Sequence, residues 1–174
     1  MSSAQPCSPC PGCGGLFPDT DGPTHAYIGA SPGCWAAYGE VLAKEYGEYR
    51  YPPVHRLTVD TYAAQHPGSP SRRSIQSVAG HLISLYVVLE RGFDAKRATA
   101  AIREAVAQRS RFVWLEPPPT LGAFTVLDVA RATDLAEHVR LVEQWANSVW
   151  DAWGERHETI RKWALVVLPK GKKA

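Results

Sequence analysis

Apolar residues recur every three or four positions along most of the chain, which is the spacing of one helix face. The clearest stripe is Ile75, Val78, Ala79, Leu82, Leu85, Tyr86 and Leu89, with a cap at Ser71 or Ser74 before it and a stop at Gly92 after it. An earlier helix is predicted from Ser31-Pro32, residue types suited to the N-cap and first helical position. It carries Trp35, Tyr38, Val41, Leu42 and Tyr46 on one side, and Gly47 can end it. The longest pattern runs from about Asp134 to Leu168. Leu135, His138, Val139, Val142, Trp145, Ala146, Val149, Trp150, Trp153, His157, Ile160, Ala164 and Val167 share one face there. Unbroken, it would be about 50 Å long, so a bend or break near Gly154 is expected.

Shorter helices are predicted over Val59 to Gln65 behind a Thr58 cap, over Asp94 to Arg109, and from a Thr125 cap to about Ala132. His66-Pro67-Gly68 stops the first of these, because the residue before proline avoids helical backbone. Tyr49 to His55 reads as an extended connector, and Pro117-Pro118-Pro119 as a loop. No segment alternates as a paired strand would. The pattern therefore predicts an all-α fold, a bundle of about four main helices.

Residues 1–30 are different: they carry Pro, Gly, Ser and Cys without period. Such a stretch buries too little apolar surface to offset its ordering entropy and needs a staple. The expected organisation is an irregular zinc-knuckle extension over 1–30 and a helical bundle over 31–174, one structural domain overall. Met1 to Pro6 are expected to be disordered.

Composition narrows the role. At 174 residues and 45% hydrophobic, the chain can bury a real core. A formal charge of +2 argues against nucleic acid or an anionic membrane as partner, and no apolar run is long enough to span a bilayer. Lys170, Lys172 and Lys173 read as a solvated tail. A basic start followed by an apolar core is missing, so no signal peptide is expected and a reducing cytoplasm is the inferred compartment.

In that compartment the four cysteines, all within the first 34 residues, point to metal rather than disulfides. Cys10-Pro11-Gly12-Cys13-Gly14 presents two thiolates at the spacing of adjacent zinc ligands, and Cys34 falls in the first turn of the Ser31 helix. The helix N-terminus is expected to lower the Cys34 thiol pKa. The expected zinc site is thus Cys10, Cys13, His25 and Cys34, with His55, His66 and Cys7 as rivals for the fourth place. Four protein ligands would make the zinc structural; three and a water would make it a catalytic candidate.

Other polar residues have plain readings. His66 shares a face with Val59 and Tyr62, as a hydrogen-bonded core histidine would, and Asp60 reads as a charge on a helix N-terminus. His81 and His157 lie on or beside the stripes of two helices and could share a second metal, although separate buried histidines are the simpler account. Trp145, Trp150, Trp153 and Trp163 read as core packing.

The Cys-Pro-x-Cys-Gly turn with Cys34 in a helix's first turn resembles a treble-clef zinc knuckle. More of the chain, namely Asp21-Gly22-Pro23-Thr24-His25-x-Tyr27, Cys34-Trp35, Val59-Asp60-x-Tyr62-x-x-Gln65-His66-Pro67-Gly68 and Ile75-Gln76-Ser77-Val78-x-x-His81-Leu82, resembles an uncharacterised bacterial domain-of-unknown-function family. A weaker likeness, through the segments around His81 and His157, is to DinB-like bundles that bind a divalent metal with three histidines. Trp153 stands where that pattern would have another histidine. These resemblances imply a fold and a metal but no reaction. The sequence is best read as a cytoplasmic zinc-binding helical protein with a structural zinc, which works by binding a small molecule or a protein partner. The alternative is a metal-dependent enzyme, a hydrolase or thiol transferase, using histidines inside the bundle.

Overall fold

The computed structural model describes residues 6–50 and 53–168. A small antiparallel hairpin comes first, pairing β1 (Cys7–Pro9) with β2 (Leu16–Pro18) in the register Cys7–Pro18, Ser8–Phe17, Pro9–Leu16. Seven α-helices follow among the described residues: α1 (Pro32–Ala43), α2 (His55–Gln65), α3 (Arg72–Leu89), α4 (Ala95–Ala107), α5 (Val126–Ala130), α6 (Leu135–Ala152) and α7 (His157–Val167). The expectation of disorder over Met1 to Pro6 falls outside the described residues except at Pro6, whose carbonyl accepts from the Asp19 amide at 2.9 Å. The basic tail at Lys170, Lys172 and Lys173 and part of the predicted connector, residues 51–52, also lie outside them.

Capping chemistry sets most helix starts where the sequence places them. Ser31 accepts from the Cys34 amide with Pro32 behind it. Ser71 and Ser74 form a reciprocal capping box for α3, and Thr125 with Asp128 does the same for α5. Asp94 and Asp134 cap α4 and α6. The core lies where α3 packs on α2, α4 and α7, and where α6 packs on α2 and α5. Leu82, Ile83, Leu85, Val142, Trp145, Val149, Trp153 and Ile160 are fully enclosed there. Of the tryptophan series, Trp145, Trp150 and Trp153 are core and Trp163 packs half-buried against it. Trp145 donates to Gln65 Oε1 at 2.9 Å and Trp153 to the Ala64 carbonyl at 3.1 Å, so both of these indole N–H groups are satisfied inside.

Two expectations need correction. The hairpin was not anticipated, because three-residue strands are too short to show alternation. α2 begins at His55 rather than behind Thr58, which is buried one turn in and donates its hydroxyl to Glu45. α1 gives way after Ala43 to a π-helical turn over Lys44–Glu48, which ends beside the expected stop at Gly47 and turns Glu45 into the interior. The long C-terminal pattern breaks near Gly154, as expected, into two helices. A 3-10 turn over Gly154–Arg156 separates α6 from α7. No described helix is long and apolar enough to cross a membrane.

Candidate metal centre

Backbone geometry builds the knuckle first. The Cys10 amide donates to the Gly15 carbonyl and the Gly14 amide to the Cys10 carbonyl, both at 2.8 Å. Gly14 takes the positive φ of 72° that closes the turn. The loop then sets Cys10 and Cys13 against the start of α1. There the Ser31 amide donates to Cys10 Sγ at 3.4 Å, and Cys13 Sγ stands 4.0 Å from Cys34 Sγ.

His66, at the C-terminal end of α2, completes the group. Its Nδ1 is 2.7 Å from the Tyr62 carbonyl, one turn back, and its Nε2 is 3.3 Å from Cys34 Sγ. A carbonyl can only accept, so Nδ1 carries the proton and Nε2 turns its lone pair toward the sulfurs. Gly12 permits the approach. A Cβ at that position would lie 2.4 Å from the His66 ring and 2.6 Å from the Gly29 carbonyl.

The ligand atoms of Cys10, Cys13, Cys34 and His66 all lie within 4.8 Å of one another. Zinc–sulfur bonds of about 2.3 Å at tetrahedral angles put two sulfurs about 3.8 Å apart, so the spacing suits one ion. It is far too long for a disulfide, whose S–S length is about 2.05 Å. Three of the four are buried and Cys13 is nearly so.

The electrostatics of the group follow from crowding. Hydrogen bonding from the Cys13 and Cys34 thiols, against the penalty of burial, holds the Cys10 thiol well below its ordinary value. Donating to Cys10 pushes the Cys13 thiol up to about 11, and Cys34 is driven up by its bonds to Cys10 and Cys13 and by burial. At Cys34 the neighbouring thiols and burial thus act against the lowering expected from the helix N-terminus. Three sulfurs in one buried pocket share a single negative charge unless a cation joins them. Tyr62 hydroxyl, 3.4 Å from Cys34 Sγ, is pushed up by burial and by that neighbour, and its ring stacks on Tyr38 at 3.8 Å.

The geometry thus groups three of the four expected ligands with His66, one of the expected rivals, and His25 lies outside the group. His25 packs edge-on against Tyr27 at 4.3 Å and tilted against Trp35 at 5.5 Å, in the loop that covers the site. Its Nδ1 is buried with no hydrogen-bond partner among the described residues. Cys7 is exposed in β1 and outside the group. The signal for His66 was present in the sequence: a histidine ending a helix can give one nitrogen to its own last turn and keep the other for a ligand.

The remaining histidines are engaged elsewhere. His55 Nδ1 and His138 Nε2 lie 2.5 Å and 2.8 Å from the two oxygens of the buried Glu45. His81 Nδ1 is 2.7 Å from Asp60, which is no helix-end surface charge but a fully buried carboxylate that also accepts from Arg56 and Ser84. His157 stacks on Trp150 at 3.8 Å and donates Nε2 to the Trp150 carbonyl at 2.8 Å. His81 and His157 do not enter a shared group of ligands. The Glu45 and Asp60 networks escaped the sequence reading, although Arg56 and Asp60 at i, i+4 on a largely buried helix are a visible hint.

No curated protein and no solved structure matches the chain. A family model does, over residues 8–154, a span that contains all four clustered residues and all of α1 to α6. The chain belongs to that family, described as a family of unknown function (DUF5946).

Proposed function

We propose that this protein is a zinc-stapled helical binding protein, in which Cys10, Cys13, Cys34 and His66 hold one zinc ion in a structural role. The observation that carries the proposal is the convergence of three thiols and one imidazole nitrogen within 4.8 Å, drawn from the knuckle, the first turn of α1 and the end of α2. Thiolate and imidazole are donors for zinc rather than for hard cations such as magnesium. A set closed by four protein side chains favours structure over catalysis. The amide of Ser31 and the hydroxyl of Tyr62 lie on the sulfurs, and such contacts temper thiolate reactivity. A reducing compartment, where the thiols stay available to metal, fits this role. The bound partner is then a small molecule or a protein, recognised by the surface that the staple helps to shape.

Metal analysis of the purified chain tests the reading. One zinc per chain is expected, with loss of that zinc in Cys10→Ser and His66→Ala and retention in His25→Ala. Full zinc content and an unchanged melting temperature in Cys10→Ser would show the staple to be wrong.

A further inference from the structure

On the far side of the His25–Ala30 loop lies a cleft of about 430 Å³ between α3 and α4. One wall is Tyr27, held by the covering loop, whose Gly29 amide donates to the His66 carbonyl at 3.0 Å. The opposite wall is apolar, from Ile102 and Val106 of α4. α3 crosses the floor and supplies Arg73, Gln76, Ser77, Gly80 and His81.

The polar groups here are arranged for a ligand. No residue lining the cleft is acidic, while Arg73 at its rim takes part in none of the ion pairs among the described residues. At the other end, buried Asp60 fixes His81 Nδ1 as a donor. The ring's remaining nitrogen, Nε2, is thereby left as an acceptor for whatever occupies the cleft, since the ring lines it. Asp60 is itself held by Arg56 and Ser84, so the imidazole is oriented by a rigid support.

Gly80 is the third observation. A glycine inside an α-helix is destabilising relative to alanine, yet a Cβ here would meet nothing closer than Ile102 at 3.8 Å. Packing does not demand the glycine. Its effect is to keep the floor open between Arg73 and His81.

We infer that this cleft binds a small organic anion with a short aliphatic chain and a hydroxyl at its far end. The carboxylate pairs with Arg73, the chain lies against Ile102 and Val106, and the hydroxyl donates to His81 Nε2. Arg73 and His81 are eight positions apart, about 12 Å along the helix, and the long arginine side chain closes part of that span. A chain of some six carbons fits between them. Only the Tyr27 wall rests on the metal reading; α3 and α4 supply the rest.

The test is a titration of the full chain, followed by NMR, with 6-hydroxyhexanoate and with hexanoate. Saturable binding is expected, about fivefold tighter for the hydroxy acid, as one added neutral hydrogen bond gives. Arg73→Gln is expected to weaken both acids about tenfold. His81→Asn, which keeps an N–H for Asp60 but is too short to put an acceptor at the Nε2 position, is expected to erase the difference between them. Gly80→Met is expected to block both with an unchanged or raised melting temperature. If that variant melts early, Gly80→Ala supplies the folded, narrowed cleft and weakens binding. No saturable binding by the wild type, or equal binding by Arg73→Gln or by a folded Gly80→Met, overturns the inference. Zinc is measured on the same samples. A chain that binds the acid without zinc overturns the metal reading alone, and one that holds zinc but ignores the acid overturns the cleft alone.

Discussion

Two buried polar clusters in this chain use histidine in opposite ways. Around Glu45, His55 and His138 bring ring nitrogens to one carboxylate, and Thr58 adds a hydroxyl at 2.5 Å, so the carboxylate is surrounded by donors inside the protein. Around Cys34, His66 spends one nitrogen on a backbone carbonyl and turns the other toward three sulfurs that compete for one charge. In the first cluster the carboxylate has its donors, while His138 Nδ1 is buried with no hydrogen-bond partner among the described residues. The second becomes electrostatically complete only with a cation, because three thiols cannot ionise together in a buried pocket. Both contain histidine beside an acidic group. What separates them is that group, one carboxylate in the first and three thiols in the second.

The largest way to break the comparison is to remove the proposed zinc from the second cluster. Cys34→Ser, or treatment of the wild type with a strong chelator, is expected to release the hairpin and the loop over His25–Ala30. The helical body, with its own enclosed core, stays helical by circular dichroism. A loss of about 5 kcal/mol corresponds to a fall of roughly 10–20 °C in melting temperature for a chain of this size. If the chelated protein melts where the untreated one does, the two clusters do not differ as described.

Glu45→Gln strikes the first cluster and should have the next largest effect, about 3 kcal/mol at neutral pH, because it removes a buried carboxylate from donors left behind. Zinc content should not change, and a joint loss of metal would show the clusters to be coupled. The same variant isolates the pH dependence. Burial pushes the Glu45 carboxyl up, but hydrogen bonds from His138, Thr58 and His55 outweigh it and leave it below its ordinary value of 4.5. A depressed folded-state pKa stabilises above pH 4.5 and is lost as pH falls below it, through the folded value. Wild-type melting temperature should therefore fall faster than that of Glu45→Gln below pH 4.5, and parallel curves there would contradict the assignment.

Gly12→Ala tests the fit of the second cluster without touching a ligand. Its methyl would overlap the His66 ring, so the ring or the knuckle must shift. A loss of tenfold or more in zinc affinity is expected, with about 2 kcal/mol of stability. Unchanged affinity in a competition assay would mean that His66 is not held where the geometry puts it.

How far all this was legible in the sequence depends on which force does the ordering. α3, α6 and α7 bury apolar stripes, and a stripe is written directly in the 3.6-residue period. Caps such as Ser31 and Ser71 are equally local. The two polar clusters are not local. Glu45 reaches His138 across 93 positions, and Cys34 reaches His66 across 32. Thr58 looked like a cap because threonine caps helices, but here its hydroxyl serves Glu45 instead. Three cysteines were identifiable because a Cys-x-x-Cys turn and a helix's first turn are themselves local. The fourth partner was set by tertiary packing, which brings the end of α2 under the knuckle.

The smallest expected effect sharpens that last point. His25 is nearer in sequence to the cysteines than His66 is, and it sits in the same irregular loop. Yet its ring packs on Tyr27 and Trp35, and it belongs to the cover of the site rather than to the ligand set. His25→Phe keeps an aromatic ring against both neighbours and removes the buried Nδ1 that has no partner among the described residues. Relieving an unsatisfied buried nitrogen offsets the imperfect shape match, so the change in stability should lie within about 1 kcal/mol, with zinc affinity unaltered. His66→Phe, the same chemical change, should abolish tight zinc binding. The pair of variants separates proximity along the chain from proximity in the fold, because only the second predicts that two identical substitutions differ.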